Sequence, residues 1–171
     1  GLMYVLDRVT GEFLHGKPYV NVNWMSGFDE AGRPIRAPGM VPSVEGTIIR
    51  PHVHGAINWA PTAYSPKHDL YYVAHWEDSG IMAIEGQFPQ ALGVNRRQTT
   101  MGDVALEPFL NNNEEARGVI RAYDPDTLDA VWEFDLGNIT WGGVLSTDGD
   151  IVFGGGKDGY FVALDATSGE L

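Results

Sequence analysis

The chain contains no cysteine, and only 11 Lys and Arg stand against 23 Asp and Glu, a net charge of −12. Without thiols, disulfides, thiolate metal sites and cysteine nucleophiles are excluded from this stretch of polypeptide. So acidic a balance argues against a nucleic-acid partner, which requires a basic face. No apolar run approaches the roughly 18–20 residues that a membrane-spanning helix needs. No Gly-x-Ser-x-Gly element or nucleotide fingerprint is present. What remains is 43% hydrophobic and 11% aromatic, a composition that can fill a core.

The most informative feature is a phrase written three times. Gly1 to Gly11, Gly118 to Leu128 and Gly159 to Gly169 each open on glycine and run through apolar residues to Asp7, Asp124 or Asp165. A hydroxyl follows three positions later, at Thr10, Thr127 or Ser168. Each copy reads as strand, tight turn, strand, with the aspartate and hydroxyl bonding nearby backbone amides. The regular recurrence marks these aspartates as turn makers rather than acid–base catalysts. Gly11 and Gly169 suit the positive φ of such a turn, whereas the second copy has Leu128 there. The last two copies lie 41 residues apart (159 − 118), about one four-stranded propeller blade. An ordinary antiparallel sandwich is the alternative, and the fixed period favours a propeller.

Strand signals fill in the blades. Trp132, Phe134 and Leu136 share one face opposite Glu133 and Asp135. Asp148-Gly149 and Lys157-Asp158-Gly159 mark hairpins. In the third copy Phe161 and Ala163 alternate with Val162 and Leu164, so both faces are apolar and the strand is expected inside stacked sheets. The reading is therefore all-β. Residues 1–20 end one blade. Residues 58–73 with 118–137 form a second, interrupted by an insertion over 74–117, and 141–171 begin a third. Gly1 opens inside a repeat, and Leu171 stops two residues before the position equivalent to Trp132. The chain thus reads as a slice of a larger protein. Residues 21–57 are a Gly- and Pro-rich connection, and 111–115 the exposed tip of the insertion.

These blocks resemble the quinoprotein alcohol dehydrogenases, which depend on pyrroloquinoline quinone (PQQ) and include methanol dehydrogenase. The matching residues are Tyr4 to Gly11, Asn58-Trp59 through Pro66, Ala122 to Pro125, Trp141-Gly142-Gly143, and Gly159 to Glu170. The resemblance implies an eight-bladed propeller of tryptophan-motif repeats, with PQQ near its axis beside a calcium or lanthanide ion. It also implies oxidation of alcohols to aldehydes, a cytochrome c-type electron acceptor and a periplasmic location. By the same resemblance Asn58 and Trp141 contact the cofactor. An amide can donate to a quinone oxygen, and an indole can pack on a flat ring system. Gly142 and Gly143 would let backbone pass close to the ligand. The family's catalytic aspartate, metal ligands and cysteine pair would lie upstream of Gly1, so this segment alone is expected to be inactive.

Rival readings are a quinoprotein acting on sugars or polyols and a non-catalytic propeller scaffold of the outer-membrane assembly lipoprotein type. For Asn58 the plainer role is a strand-end cap, and for Trp141 and Trp59 it is core packing. His52, His54, His68 and His75 could suggest a metal site, but nothing in the pattern gathers them. Gly154 to Lys157 lacks the Ser/Thr and helix of a phosphate loop and reads as a hairpin. Ile81 to Ile84 is a candidate lining for a substrate funnel or a partner surface, or simply packs the insertion down.

Overall fold

The computed structural model describes residues 1–41, 43, 47–51, 55–77, 80–82, 104–105, 117–138 and 140–171. The expected tip of the insertion at 111–115, and His52 and His54, lie outside the described residues. All regular structure among the described residues is β. The chain divides into two compact units, residues 1–55 with 78–114 and residues 56–77 with 115–171.

In the first unit, β1 (Leu2–Leu6) and β2 (Phe13–Pro18) form an antiparallel hairpin. A second hairpin joins β3 (Met25–Phe28) to β4 (Pro34–Arg36). Its turn is closed by Asp29, whose carboxylate accepts from the amides of Ala31 and Arg33. Tyr4, Phe13 and Phe28 cluster with centroids 5.4–5.9 Å apart. β5 (Thr47–Ile49) lies in the same unit. The Gly- and Pro-rich stretch thus holds three short strands where a connection is expected from its composition.

The second unit begins with β6 (Ala63–Ser65) and β7 (Leu70–Glu77), which runs four residues beyond the Val73 read from the sequence. β8 (Gly80–Met82) and β9 (Val104–Ala105) belong to the first unit, where they extend β5 into a three-stranded sheet. β10 (Arg117–Tyr123) and β11 (Ala130–Asp135) complete a four-stranded antiparallel meander in the order β6-β7-β10-β11. β12 (Leu145–Ser146), β13 (Ile151–Gly155) and β14 (Phe161–Asp165) form the next sheet.

The three repeated aspartates build one turn three times. Asp7 Oδ1 accepts from the amides of Val9 and Thr10, Asp124 Oδ1 from Asp126 and Thr127, and Asp165 Oδ1 from Thr167 and Ser168. In each, the amide four residues on returns to the aspartate carbonyl, from Gly11, Leu128 or Gly169. All three of those residues have positive φ, at 76°, 59° and 73°. Leucine is rarely held in this region, but Leu128 is buried and its side chain is retained by packing. The amide contacts hold Asp7 and Asp124 below the usual aspartate range, and the Thr167 hydroxyl, followed by the amides of Thr167 and Ser168, takes Asp165 down to about 2. Such groups are poorly suited to carry protons at neutral pH.

Packing of the two sheets of the second unit follows from strand alternation. Tyr72 and Ala74 of β7, Ile120 and Ala122 of β10, and Trp132 of β11 face Val144, Val152, Leu164 and Ala166. Gly154 belongs to this contact, because a Cβ there would stand 2.5 Å from Ile120 Cδ1. Only one face of β14 is covered. Val162 and Leu164 turn inward, whereas Phe161 is 76% exposed and stacks on Phe153 at 5.5 Å. The expectation of a strand buried on both faces fails within this chain, since no described residue packs on the second face.

The opposite face of the meander carries an ionic ladder. Arg121 donates to Glu77 at 2.9 Å and to Glu133, and Arg117 donates to Glu133 at 2.6 Å and to Asp135 at 3.3 Å. Arg121 also donates to the Tyr123 oxygen, leaving the phenolic proton to face His75 Nε2 at 3.3 Å. Burial of the imidazole, with Arg121 and Arg117 nearby, pulls its pKa down to about 3. The folded pKa lies below the unfolded value, so the unfolded chain takes up the proton first. The stability tied to a neutral His75 is complete above about pH 6.5 and is lost as pH falls toward 3. We expect a loss of roughly 2 kcal/mol between about pH 7 and pH 5, read from urea midpoints, and a flatter profile for His75→Gln. Identical slopes for the two proteins would refute the assignment.

Candidate functional site

Asn58 and Trp59 lie in an irregular segment, 56–62, that leads into β6. Trp141 lies in a second such segment, 140–144, that leads into β12. The two segments run together because the Val144 amide donates to the Pro61 carbonyl at 3.0 Å. As a result the Trp59 and Trp141 rings meet with centroids 6.2 Å apart. Trp141 also meets Trp76 of β7, at 5.3 Å. The row grades from solvent to core: Trp59 is 72% exposed, Trp141 47% and Trp76 5%. Asn58 is exposed beside this row.

Trp59 is therefore not the core residue that its apolar bulk suggests. Its backbone lies ahead of β6 instead of within it, so no pleat directs the indole into the sheet interface, and it rests on Trp141.

Trp141 forms one wall of a cleft of about 390 Å³, lined also by Gly142, Gly143, Gly154, Gly155, Gly156, Lys157 and Phe161. With five glycines in the lining, backbone rather than side chain makes its floor. Thr140, almost wholly buried, ties two walls together: its Oγ1 donates to the Gly155 carbonyl at 2.6 Å and accepts from the Gly142 amide at 3.1 Å. The Gly142 amide is thus already engaged. Gly143 has a structural reason to lack a side chain, because a Cβ would stand 2.6 Å from the Pro61 carbonyl oxygen. Among the described residues, Lys157 brings the one cation of the lining. An indole, a run of glycine backbone and an ammonium in one lining suit a planar aromatic ligand that carries negative charge.

The other residues singled out in the sequence go elsewhere. His68 is hydrogen-bonded to Asp150 at 2.7 Å, and Lys67 pairs with the same carboxylate at 2.6 Å. That contact anchors the β12–β13 turn, where Asp150 rather than Gly149 takes the positive φ. His75 is buried in the ionic ladder. Ile81 and Met82 fall in β8 of the other unit, while Ala83 and Ile84 lie outside the described residues.

No protein-family model matches the chain. Sequence comparison is more telling. The chain is 34% identical over 99% of its length to quinoprotein alcohol dehydrogenase PedH of Pseudomonas putida, and 37% identical over 99% to the dehydrogenase subunit of the quinone alcohol dehydrogenase of Acetobacter aceti. It superposes on the quinohemoprotein alcohol dehydrogenase of Comamonas testosteroni with a TM-score of 0.82 and 30% identity over 99% of the chain. Along its whole length the chain's homologues are quinoprotein alcohol dehydrogenases.

It spans 29% and 24% of the two sequence relatives and 26% of the Comamonas chain, so each is far longer than the segment described. A europium-containing methanol dehydrogenase also superposes, with a TM-score of 0.74 and 26% identity over 97% of this chain. These neighbours are β-propellers, and the sheets of this quinoprotein segment are propeller sheets. Trp76 and Thr140 were not singled out in the sequence, although both shape the cleft. A signal for Trp76 exists: it continues the even positions of Tyr72 and Ala74 on β7.

Proposed function

We propose that this chain supplies part of the PQQ-binding face of an alcohol dehydrogenase. The observation that carries the reading is the meeting of the Asn58-Trp59 and Trp141-Gly142-Gly143 blocks, distant in sequence, through the 6.2 Å contact of Trp59 with Trp141. The Trp141-Gly142-Gly143 block lines a glycine-rich cleft, and the Asn58-Trp59 block adjoins it through Trp59. The donor set fits a tricyclic, polycarboxylated quinone: Trp141 offers a face to its rings, the Asn58 amide a donor to its oxygens, and Lys157 a cation for its negative charge. When bound, PQQ supplies two-electron oxidation chemistry that no side chain of this segment can provide.

The chain's own part is to bind and orient. Trp141 fixes the plane in which a flat cofactor lies, and the tie from Thr140 to Gly155 and Gly142 holds two stretches of the cleft backbone together. In this reading the Asn58 amide favours extra charge on a quinone oxygen by donating to it. Phe161 and Trp141 give the cleft its apolar side. In the proposed parent protein the substrate is an alcohol, oxidised to the aldehyde. A calcium or lanthanide ion is held by residues outside this chain, and electrons pass to a cytochrome c-type acceptor in the periplasm. The naming of relatives as quinohemoprotein and dehydrogenase subunit supports the electron-acceptor part.

The test is production of the full-length protein with PQQ and either calcium or a lanthanide, assayed by dye reduction with a panel of alcohols. Folded, loaded protein that reduces no dye with any alcohol would overturn the proposal. Within this chain, Trp141→Ala is expected to weaken PQQ binding by about tenfold, the worth of one good aromatic contact. Calorimetric titration of the cofactor-free protein measures it, and an unchanged Kd would count against Trp141 as a contact.

A further inference from the structure

We propose that Trp76 is a positioning residue for this cofactor face, bracing Trp141 from behind without touching the ligand. The inference rests on the reading that Trp141 packs against a bound quinone. Trp141 belongs to irregular backbone, where no strand ladder constrains its side chain. Of its two indole neighbours, Trp59 is 72% exposed and is itself carried on an irregular segment. Trp76 differs on both counts. It is 5% exposed and stands near the end of an eight-residue strand, paired through Gly118 to β10.

The Trp76 ring lies 5.3 Å from that of Trp141 with an interplanar angle of 32°. The face of β7 that carries it also carries Tyr72 and Ala74, both packed in the core between the two sheets. A rigid buried indole thus backs a half-exposed one. A second link leaves from the same residue, since the Trp76 amide donates to the Ala56 carbonyl at 2.9 Å. Ala56 is fully buried and lies two residues before Asn58. One strand position therefore contacts both irregular segments: the side chain sets the tilt of Trp141, and the backbone sets where the Asn58 segment begins. Because the amide survives substitution, the two links can be separated by experiment.

The experiment titrates PQQ, with calcium or lanthanide chloride present, into the cofactor-free full-length protein and its variants. Trp76→Leu should raise Kd by about fivefold, and Trp76→Phe, which keeps a ring behind Trp141, should stay within about twofold of wild type. The decisive comparison is the double variant. If Trp76 acts through Trp141, W76L/W141A binds no more weakly than W141A alone. Losses that add would mean general destabilisation and would overturn the inference. A normal Kd for W76L beside a weakened W141A would sink this inference alone, whereas an unchanged W141A would sink the reading beneath it. Circular dichroism gives a readout independent of affinity and of W76L folding. The stacked indoles should produce an exciton couplet that Trp76→Phe and Trp141→Phe each diminish, and a couplet indifferent to both would refute the brace.

Discussion

Replacing Trp132 with alanine is expected to destabilise the chain by about 4 kcal/mol, the upper range for emptying a buried aromatic site. Three interactions meet at this indole. Its Nε1 donates to the Ala166 carbonyl at 3.0 Å. Its ring packs on Tyr72 at 5.8 Å, and Tyr72 donates its hydroxyl to the same carbonyl at 3.0 Å. Its six-membered ring also covers Gly169, where a Cβ would stand 2.6 Å from Cε3. Trp132 belongs to the four-stranded meander, while Ala166 and Gly169 belong to the turn made by Asp165 in the following sheet. The side chain is therefore a tie between successive sheets.

Alanine leaves a void that neither sheet can close, since the ladder of β10 with β11 fixes one wall and the Asp165 turn fixes the other. Trp132→Phe should cost roughly half as much, because it keeps most of the apolar volume and loses the hydrogen bond. Urea unfolding monitored by far-ultraviolet circular dichroism measures both. A loss under about 1 kcal/mol for alanine would mean that the sheets do not depend on this contact.

The same tie explains which parts of the fold were legible in the sequence. The Asp-x-x-hydroxyl phrase dictates a local structure in which one carboxylate answers several amides, and that chemistry needs no knowledge of the rest of the chain. The three turns accordingly stand where the repeats place them. The hairpin at Lys157-Asp158-Gly159 is local in the same sense, with Gly159 at φ 84°. The glycine at position 169, by contrast, answers to two demands: a positive φ, visible from the repeat, and the indole of Trp132 lying over it, visible only once sheets are stacked. Leu128 meets the first demand without glycine, at φ 59°, where packing retains a side chain.

Less could be read where short strands depend on partners far along the chain. β5 pairs with β8 across some thirty residues, and β3–β4 is only a few residues long, so neither leaves a sustained period-two pattern. The extension of β7 through Ala74, His75 and Trp76 was legible in principle, because even positions stay apolar while His75 and Glu77 turn to the ionic face. What hid it was the polarity of that face, which is satisfied by Arg117 and Arg121 from the neighbouring strand. In the candidate site, Trp141 and Asn58 came from a family resemblance. The stacking of Trp59, Trp141 and Trp76 came from the geometry alone, and it reverses the expectation that Trp59 is core.

Introducing a single methyl group, by Gly143→Ala, should damage both the fold and the proposed cofactor face. The added Cβ would collide with the Pro61 ring and stand 2.6 Å from the Pro61 carbonyl oxygen. Neither obstacle is the far end of a flexible side chain, so backbone has to move, at a cost of about 3 kcal/mol. The movement has a defined direction. The Val144 amide donates to that same Pro61 carbonyl, and relief of the clash separates the segment carrying Trp141 from the one carrying Trp59. Loss of affinity for PQQ should then exceed what Trp141→Ala produces, because the alanine at 143 displaces both segments instead of deleting one ring. Gly142→Ala supplies the control. Its Cβ would meet the Gly155 carbonyl oxygen at 3.3 Å, a contact the loop can absorb with a shift of tenths of an ångström. Thermal melts and PQQ titrations of the two variants should therefore diverge widely. If G143A melts and binds as G142A does, the approach of the two segments at Pro61 is not what organises the cleft.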